Sequence, residues 1–159
     1  MFGHPEVETL SLGIIERLNA RRVRASVLTK GLLSPALAHR PFRRDNTLGI
    51  SLVSLDEGFR RRFEPGAAPY ADRIAALRAL HEAGCRTLVH IEPYPTPNIV
   101  QQDVRPLLEA VAFVDELYFS GWNYSPLPGR CPDRERFYRE QARVVRAFCA
   151  GHRIRAVVG

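Results

Sequence analysis

Lysine is almost absent from this chain. Lys30 is the only one among 23 basic residues, and all the others are arginine. Cysteine is scarce as well. Cys85, Cys131 and Cys149 form an odd, widely spaced set, which argues against a disulfide framework. They also lack the close spacing of a zinc or iron–sulfur motif, so buried or inert thiols are expected. Long apolar runs are missing too. None approaches the roughly 20 residues that cross a bilayer, so no membrane association is expected. The opening "MFGHPEVETL" has no basic region followed by an apolar block, so no secretory signal is expected and a cytoplasmic location is. The five histidines show no metal-ligand spacing. There is no low-complexity segment and no linker, so residues 1–159 read as a single domain.

What is present is ordinary for a globular chain: 45% hydrophobic and 25% charged residues. The formal net charge of +6 favours polyanions such as nucleic acid. The arginines look scattered, however. Their densest clusters are Arg21, Arg22 and Arg24, then Arg60, Arg61 and Arg62, which read mainly as a solvated face.

Helical and strand-like segments alternate. "PEVETLSLGIIERLNA" carries Val7, Leu10, Ile14, Ile15 and Leu18 at helical spacing. Strands are expected at 23–29, 47–54, 85–92, 114–120 and 154–158. Between them lie a short helix or turn in "LLSPALAH", a short helix in "LDEGFRRRF", and a strong helix in "YADRIAALRALHEAG" with Ile74, Leu77 and Leu80 inward. Asp103 and Asp133 are candidate caps for helices in "VRPLLEAVAF" and "RERFYREQARVVRAFCAG". "PYPTPN" reads as irregular because its prolines lack donors. The strands are continuous apolar runs. The expected fold is therefore α/β, a parallel sheet flanked by helices. In such folds ligands gather at the C-terminal ends of the strands.

Those ends supply the candidate site. The first strand ends in Thr29-Lys30-Gly31 and the second in Ser54-Leu55-Asp56. The third ends in Glu92-Pro93-Tyr94-Pro95, and the fourth in Ser120-Gly121-Trp122-Asn123-Tyr124. One cation, a hydroxyl, a carboxylate, an amide and several aromatics suit a zwitterionic ligand with a planar part. Each has a plainer reading. Lys30 can snorkel to solvent, Ser54 can make a local turn bond, Glu92 can pair with Lys30 or an arginine, and Trp122 and Tyr124 can pack as core.

Beyond single residues, "VLTKG" followed by "GISLVSLDEGFRRRFEPGAAPYADRIAALRALHEAGCRTLVHIEPYPTPN" resembles the later part of a radical S-adenosylmethionine (radical SAM) enzyme. The closest likeness is to the spore photoproduct lyase-like branch. The resembling features run in order over roughly residues 1–125. A strand ending in Thr-Lys leads to Ser-x-x-Ser-Leu-Asp-Glu, then Glu-Pro-Gly-Ala. An Arg-x-x-Ala-Leu-x-x-Leu helix and a strand ending in Glu-Pro follow. The resemblance implies an incomplete (β/α) barrel. It also implies reductive SAM cleavage by a [4Fe–4S] cluster, giving a 5′-deoxyadenosyl radical that abstracts hydrogen from a substrate. By the same likeness Lys30 and Ser54 would hold the SAM carboxylate. Glu92 and Asn123 would line the cofactor cavity, one of Arg60, Arg61 or Arg62 would approach it, and Tyr94, Trp122 and Tyr124 would line the substrate.

The family's Cys-x3-Cys-x2-Cys motif is absent. "MFGHPEVETL" resembles text just after the second barrel strand, which implies that Met1 is internal to a longer barrel or a boundary within it. The expectation is a C-terminal barrel portion, inactive alone, whose exposed sheet edge promotes self-association. The expectation of a different class is a non-catalytic basic α/β module that binds nucleic acid in a salt-sensitive way.

Overall fold

The computed structural model describes residues 4–122 and 126–159. Five strands form one sheet: β1 Ser26–Thr29, β2 Thr47–Ser51, β3 Arg86–Tyr94, β4 Glu116–Gly121 and β5 Arg155–Val158. Every pairing is parallel, and the order is β1-β2-β3-β4-β5. Strand order thus never reverses, so the sheet has no topological switch point of the doubly wound kind. Each new strand is added to the same edge. With crossovers of one hand, the connecting helices gather on one face.

Those helices are α1 Pro5–Ala20, α2 Glu57–Phe63, α3 Tyr70–Glu82, α4 Arg105–Ala110 and α5 Arg134–His152, with 3-10 turns at Pro35–Ala38 and Pro128–Arg130. The core lies between them and one face of the sheet. Val27, Leu48, Ile50, Leu52, Val89, Ile91, Leu117 and Phe119 meet Ile15, Leu77, Leu80, Leu107, Leu108 and Val145 in one buried cluster. Burial of a large aliphatic side chain contributes about 1.5–3 kcal/mol, so this layer dominates stability.

The other face is buried at its centre, where Gly49, Ser51, Leu88 and Glu116 lie, and exposed toward its edges. In register it carries Leu28, Gly49, Leu88, Glu116 and Arg155, then Ser51, His90, Tyr118 and Val157. Leu28 and Val157 are 40% and 39% exposed. Apolar runs suggested strands covered on both sides. The edge strand β1 instead alternates exposed and buried, and β5 is exposed or half-buried throughout. Gly49 is needed on this face, because a Cβ there would lie 3.1 Å from the Leu88 carbonyl oxygen and 3.3 Å from Leu28 Cδ1. Glu116 is 6% exposed there, clamped by Arg86 and, at 3.7 Å, by Arg155.

Several local expectations need correction. On α1 only Ile15 of the apolar set is buried, while Val7, Leu10 and Ile14 form an exposed stripe. On α3 the fully inward residues are Tyr70, Arg73, Leu77 and Leu80, with Ile74 half-buried. The strand β3 runs through Pro93 to Tyr94, and its ladder with β4 shifts register between Ile91 and Tyr94. The donor that proline lacks falls at that irregularity. Asp133 does occupy the cap position of α5, but in the left-handed region (φ 55°) and without a side-chain cap bond. Its carboxylate binds Arg136 instead, at 2.9 Å. Asp56 is the effective cap, accepting from the Gly58 N–H at 2.6 Å to open α2.

Candidate functional site

At the C-terminal edge, beside β1, Lys30 does not meet Glu92. Its Nζ lies 2.9 Å from Glu64 Oε1, and the other carboxylate oxygen lies 3.0 Å from Arg73 Nη2. Arg73 is wholly buried on α3. Its Nε donates to the Ala68 carbonyl at 2.7 Å and its Nη1 to the Ser51 carbonyl at 2.8 Å, while its guanidinium lies 4.8 Å over the Tyr70 ring. Arg73 thereby fixes the turn after α2 to the end of β2. Two cations thus share one carboxylate, and the trio carries a formal charge of +1. The side chain of Glu64 is 2% exposed and that of Lys30 is 45% exposed, so the surplus charge sits at the surface.

Lys30 rims a hollow of about 560 Å³ with Gly31, Leu32, Phe63, Glu64 and Gly66 among its walls. Glu64 Oε1, whose residue lines the hollow, and the Tyr70 hydroxyl are buried without a hydrogen bond among the described residues. The lysine is at ion-pair distance from Oε1 without meeting hydrogen-bond geometry. Burial, and then the Glu64 charge, push the Tyr70 hydroxyl pKa well above its ordinary value.

The remaining predicted residues scatter in role. Ser54 is fully buried. Its hydroxyl donates to Gln102 Oε1 at 2.7 Å and accepts from the Asp56 N–H at 3.0 Å, which is the local turn role. Gln102 donates back to the Val53 carbonyl at 2.8 Å. Ser54 is therefore committed to the protein rather than to the hollow. Glu92 lies on the sheet face away from the helices, 3.8 Å from His90 Nδ1, and His90 stacks on Tyr118 at 4.7 Å. Burial pulls the His90 pKa down, and Glu92 opposes this. Tyr94 lines neither the hollow beside Lys30 nor the groove beside α5. It is wholly buried against Phe119 and Phe137, and burial pushes its pKa up to about 12. Trp122 is half-buried and meets the Phe63 ring edge-on at 5.9 Å, so it links the ends of β4 and α2. Asn123 and Tyr124 lie outside the described residues. Of the three arginines, Arg60 is bound to Glu57 and to the Ala67 carbonyl, Arg62 lies 5.1 Å over Phe63, and Arg61 is exposed.

Lys30 and Trp122 therefore share the edge, while Ser54 and Tyr94 belong to its foundation. Sequence reasoning placed Glu64 and Arg73 only within the Glu-Pro-Gly-Ala and Arg-x-x-Ala-Leu-x-x-Leu motifs and gave neither a role. Their signal was an arginine among the apolar positions of α3, nine residues after a glutamate.

A second concave feature lies at the other end of the same edge. A groove of about 590 Å³ runs between α5 and the ends of β4 and β5, and its walls include Arg134, Arg139, Arg143, Arg146, Trp122 and Tyr138. The Tyr138 ring packs on Gly121, where a Cβ would come within 2.7 Å of it. Its hydroxyl donates to the Tyr94 carbonyl at 2.9 Å and accepts from the Trp122 N–H at 2.9 Å. Tyr138 thus seats α5 on the strand ends. The apparent scatter of arginines hid this feature. Arg139, Arg143 and Arg146 follow i, i+4, i+7 spacing, which aligns them on one helix face.

The residues present do not fit an iron–sulfur cluster. Cys85 and Cys149 are buried in the core, and burial raises both thiol pKa values. Among the described residues no group of three His, Cys, Asp or Glu side chains could hold a metal ion. Among the same residues no helix is long and apolar enough to cross a membrane.

No protein-family model matches the chain, and no solved structure matches it. Among curated proteins it is similar to the uncharacterized protein ORF301 of Acidianus two-tailed virus, with 36% identity over 64 residues. That similarity covers 40% of this chain, and it spans only 21% of the viral protein's length.

Proposed function

We propose that this chain is a wall segment of a radical SAM barrel, and that Lys30 receives the carboxylate of SAM. The observation that carries the reading is the +1 trio of Lys30, Glu64 and Arg73 at the C-terminal edge of a sequentially ordered parallel sheet. Glu64 is already neutralised by buried Arg73, so the half-exposed ammonium has charge to spare for an anion. An ammonium has three donors, which leaves Lys30 able to bind a ligand carboxylate while it stays beside Glu64. Sequential strand order with helices on one face is also what a barrel wall requires.

Ser54 takes no direct part in this reading; it holds the β2 end in shape through Gln102. Glu92 lies on the sheet face away from the helices, which is the inner side of a barrel. In the intact family, SAM supplies the radical that abstracts hydrogen. This chain's own residues offer no cluster ligands, so the chain by itself has no radical chemistry. The end strands β1 and β5 and the exposed Val7, Leu10 and Ile14 stripe are then surfaces for further barrel wall, and in isolation they favour self-association.

Equilibrium dialysis with labelled SAM tests the reading. Saturable binding is expected, and Lys30→Ala should weaken it by about 10-fold or more, as for loss of a charged hydrogen bond. Absence of saturable binding, or an unchanged affinity in Lys30→Ala, removes the role.

A further inference from the structure

The groove beside α5 has no place in the SAM reading. Arg134, Arg139, Arg143 and Arg146 are all exposed along it. Its acidic side chain is Glu135, 3.8 Å from Arg139, and Gly159 also lies in its wall. Among the described residues no carboxylate lies within ion-pair distance of Arg134, Arg143 or Arg146. Arg146 donates to the Val158 carbonyl at 3.4 Å. Cations therefore exceed anions, in a concave site on a rigid helix pinned by Tyr138.

Arg139, Arg143 and Arg146 share one face of α5 and span about 10 Å along its axis, and Arg134, at the helix start, lines the same groove. One phosphate can engage one or two of these guanidiniums, whereas the full row suits a chain of phosphates. At its head stands Trp122, a flat indole that meets the Phe63 ring edge-on. Arginines that track a backbone, next to an aromatic platform, are the two parts of a single-stranded nucleic-acid site. A duplex keeps its bases stacked inside and leaves the indole unused.

We infer that this groove binds a single nucleic-acid strand, with its phosphates along Arg134, Arg139, Arg143 and Arg146 and a base on Trp122. The inference is independent of the SAM reading, since it concerns another ligand at another place.

Fluorescence anisotropy with a labelled oligothymidylate of about ten nucleotides tests it. The Arg139→Glu/Arg143→Glu variant is compared with Arg17→Glu/Arg21→Glu, an equal charge change on exposed residues of α1 and its C-cap. The groove variant should lose at least about 10-fold in affinity and reduce the salt slope by about two, with the control nearly unchanged. The milder Arg139→Gln/Arg143→Gln covers the case in which charge reversal unfolds the helix. Trp122→Ala should weaken binding about 5-fold or more while leaving the salt slope unchanged. Four outcomes overturn the inference. They are no binding by the unaltered chain, an equal loss in the control, tighter binding of a duplex of the same length, and equally tight binding of inorganic triphosphate.

Discussion

The two ends of the sheet's C-terminal edge use charge in opposite ways. Beside β1 and β2, Arg73 and Glu64 are buried and bonded, and only Lys30 reaches the surface. Beside β4 and β5, four of the five arginines of α5 lie exposed in the groove wall, and among the described residues only Arg139 of these four is within ion-pair distance of a carboxylate. A buried charge is costly unless paired, so the first corner is a network in which each member holds the others in place. An exposed charge contributes little to stability and remains free to meet a ligand. Buried support and exposed charge are thus divided between the corners, and Lys30, paired with Glu64 yet 45% exposed, shares in both.

The largest test of this contrast is Arg73→Met, which leaves Glu64 buried with Lys30 alone. Unfolding free energy in urea should fall by about 3–5 kcal/mol. A loss under about 1 kcal/mol would mean that Lys30 suffices and that the corner is less coupled than its geometry indicates. Next is Ser54→Ala, which strands Gln102 Oε1 and the Asp56 N–H; it should cost about 1–3 kcal/mol. The reading of Ser54 as foundation predicts that SAM affinity, compared under conditions where both proteins are folded, changes far less than in Lys30→Ala.

Tyr138→Phe sharpens the other side of the comparison, because it removes the one firmly bonded polar group of the arginine groove. A loss of about 1–2 kcal/mol is expected from the orphaned Trp122 N–H and Tyr94 carbonyl. An undiminished midpoint would show that ring packing on Gly121 alone seats α5.

Between the corners, His90 lies on the sheet face away from the helices with its pKa lowered by burial. The unfolded chain therefore binds more protons than the folded one below the unfolded value of about 6.5. Stability is retained above that pH and is lost as pH falls toward the lowered folded value. The fall in urea midpoint across this window should shrink in His90→Gln; an identical fall in both proteins would assign the effect elsewhere. The smallest change is expected for Arg143→Gln, within about 0.5 kcal/mol in stability. A substantially larger loss would make the groove arginines structural.

The strands and helices were legible from patterning. All five expected strands form, at 26–29, 47–51, 86–94, 116–121 and 155–158, and α1, α3 and α5 start where their first turns suggested. Apolar periodicity is a local signal, and parallel strands between amphipathic helices leave a strong one. Burial on one face versus two was less legible. A strand such as β2 reads the same whether helices or neighbouring side chains cover its second face. The site was legible only as an edge. Lys30 could be placed at a strand end, but its partner comes from a turn 34 residues later, and no local pattern announces that.

The sequence by itself determined the α/β alternation, the parallel sheet, the edge at which charged and aromatic residues gather, and the scarcity of thiols that leaves no cluster motif. Each follows from residue type and spacing along the chain. Tertiary structure alone decided that Lys30 meets Glu64 rather than Glu92, that Ser54 and Tyr94 are buried supports, and that dispersed arginines align beside Trp122. Those outcomes depend on which elements lie side by side once the crossovers close. Buried polar groups then take whatever partner is within reach, because leaving them unpaired costs more than any local preference.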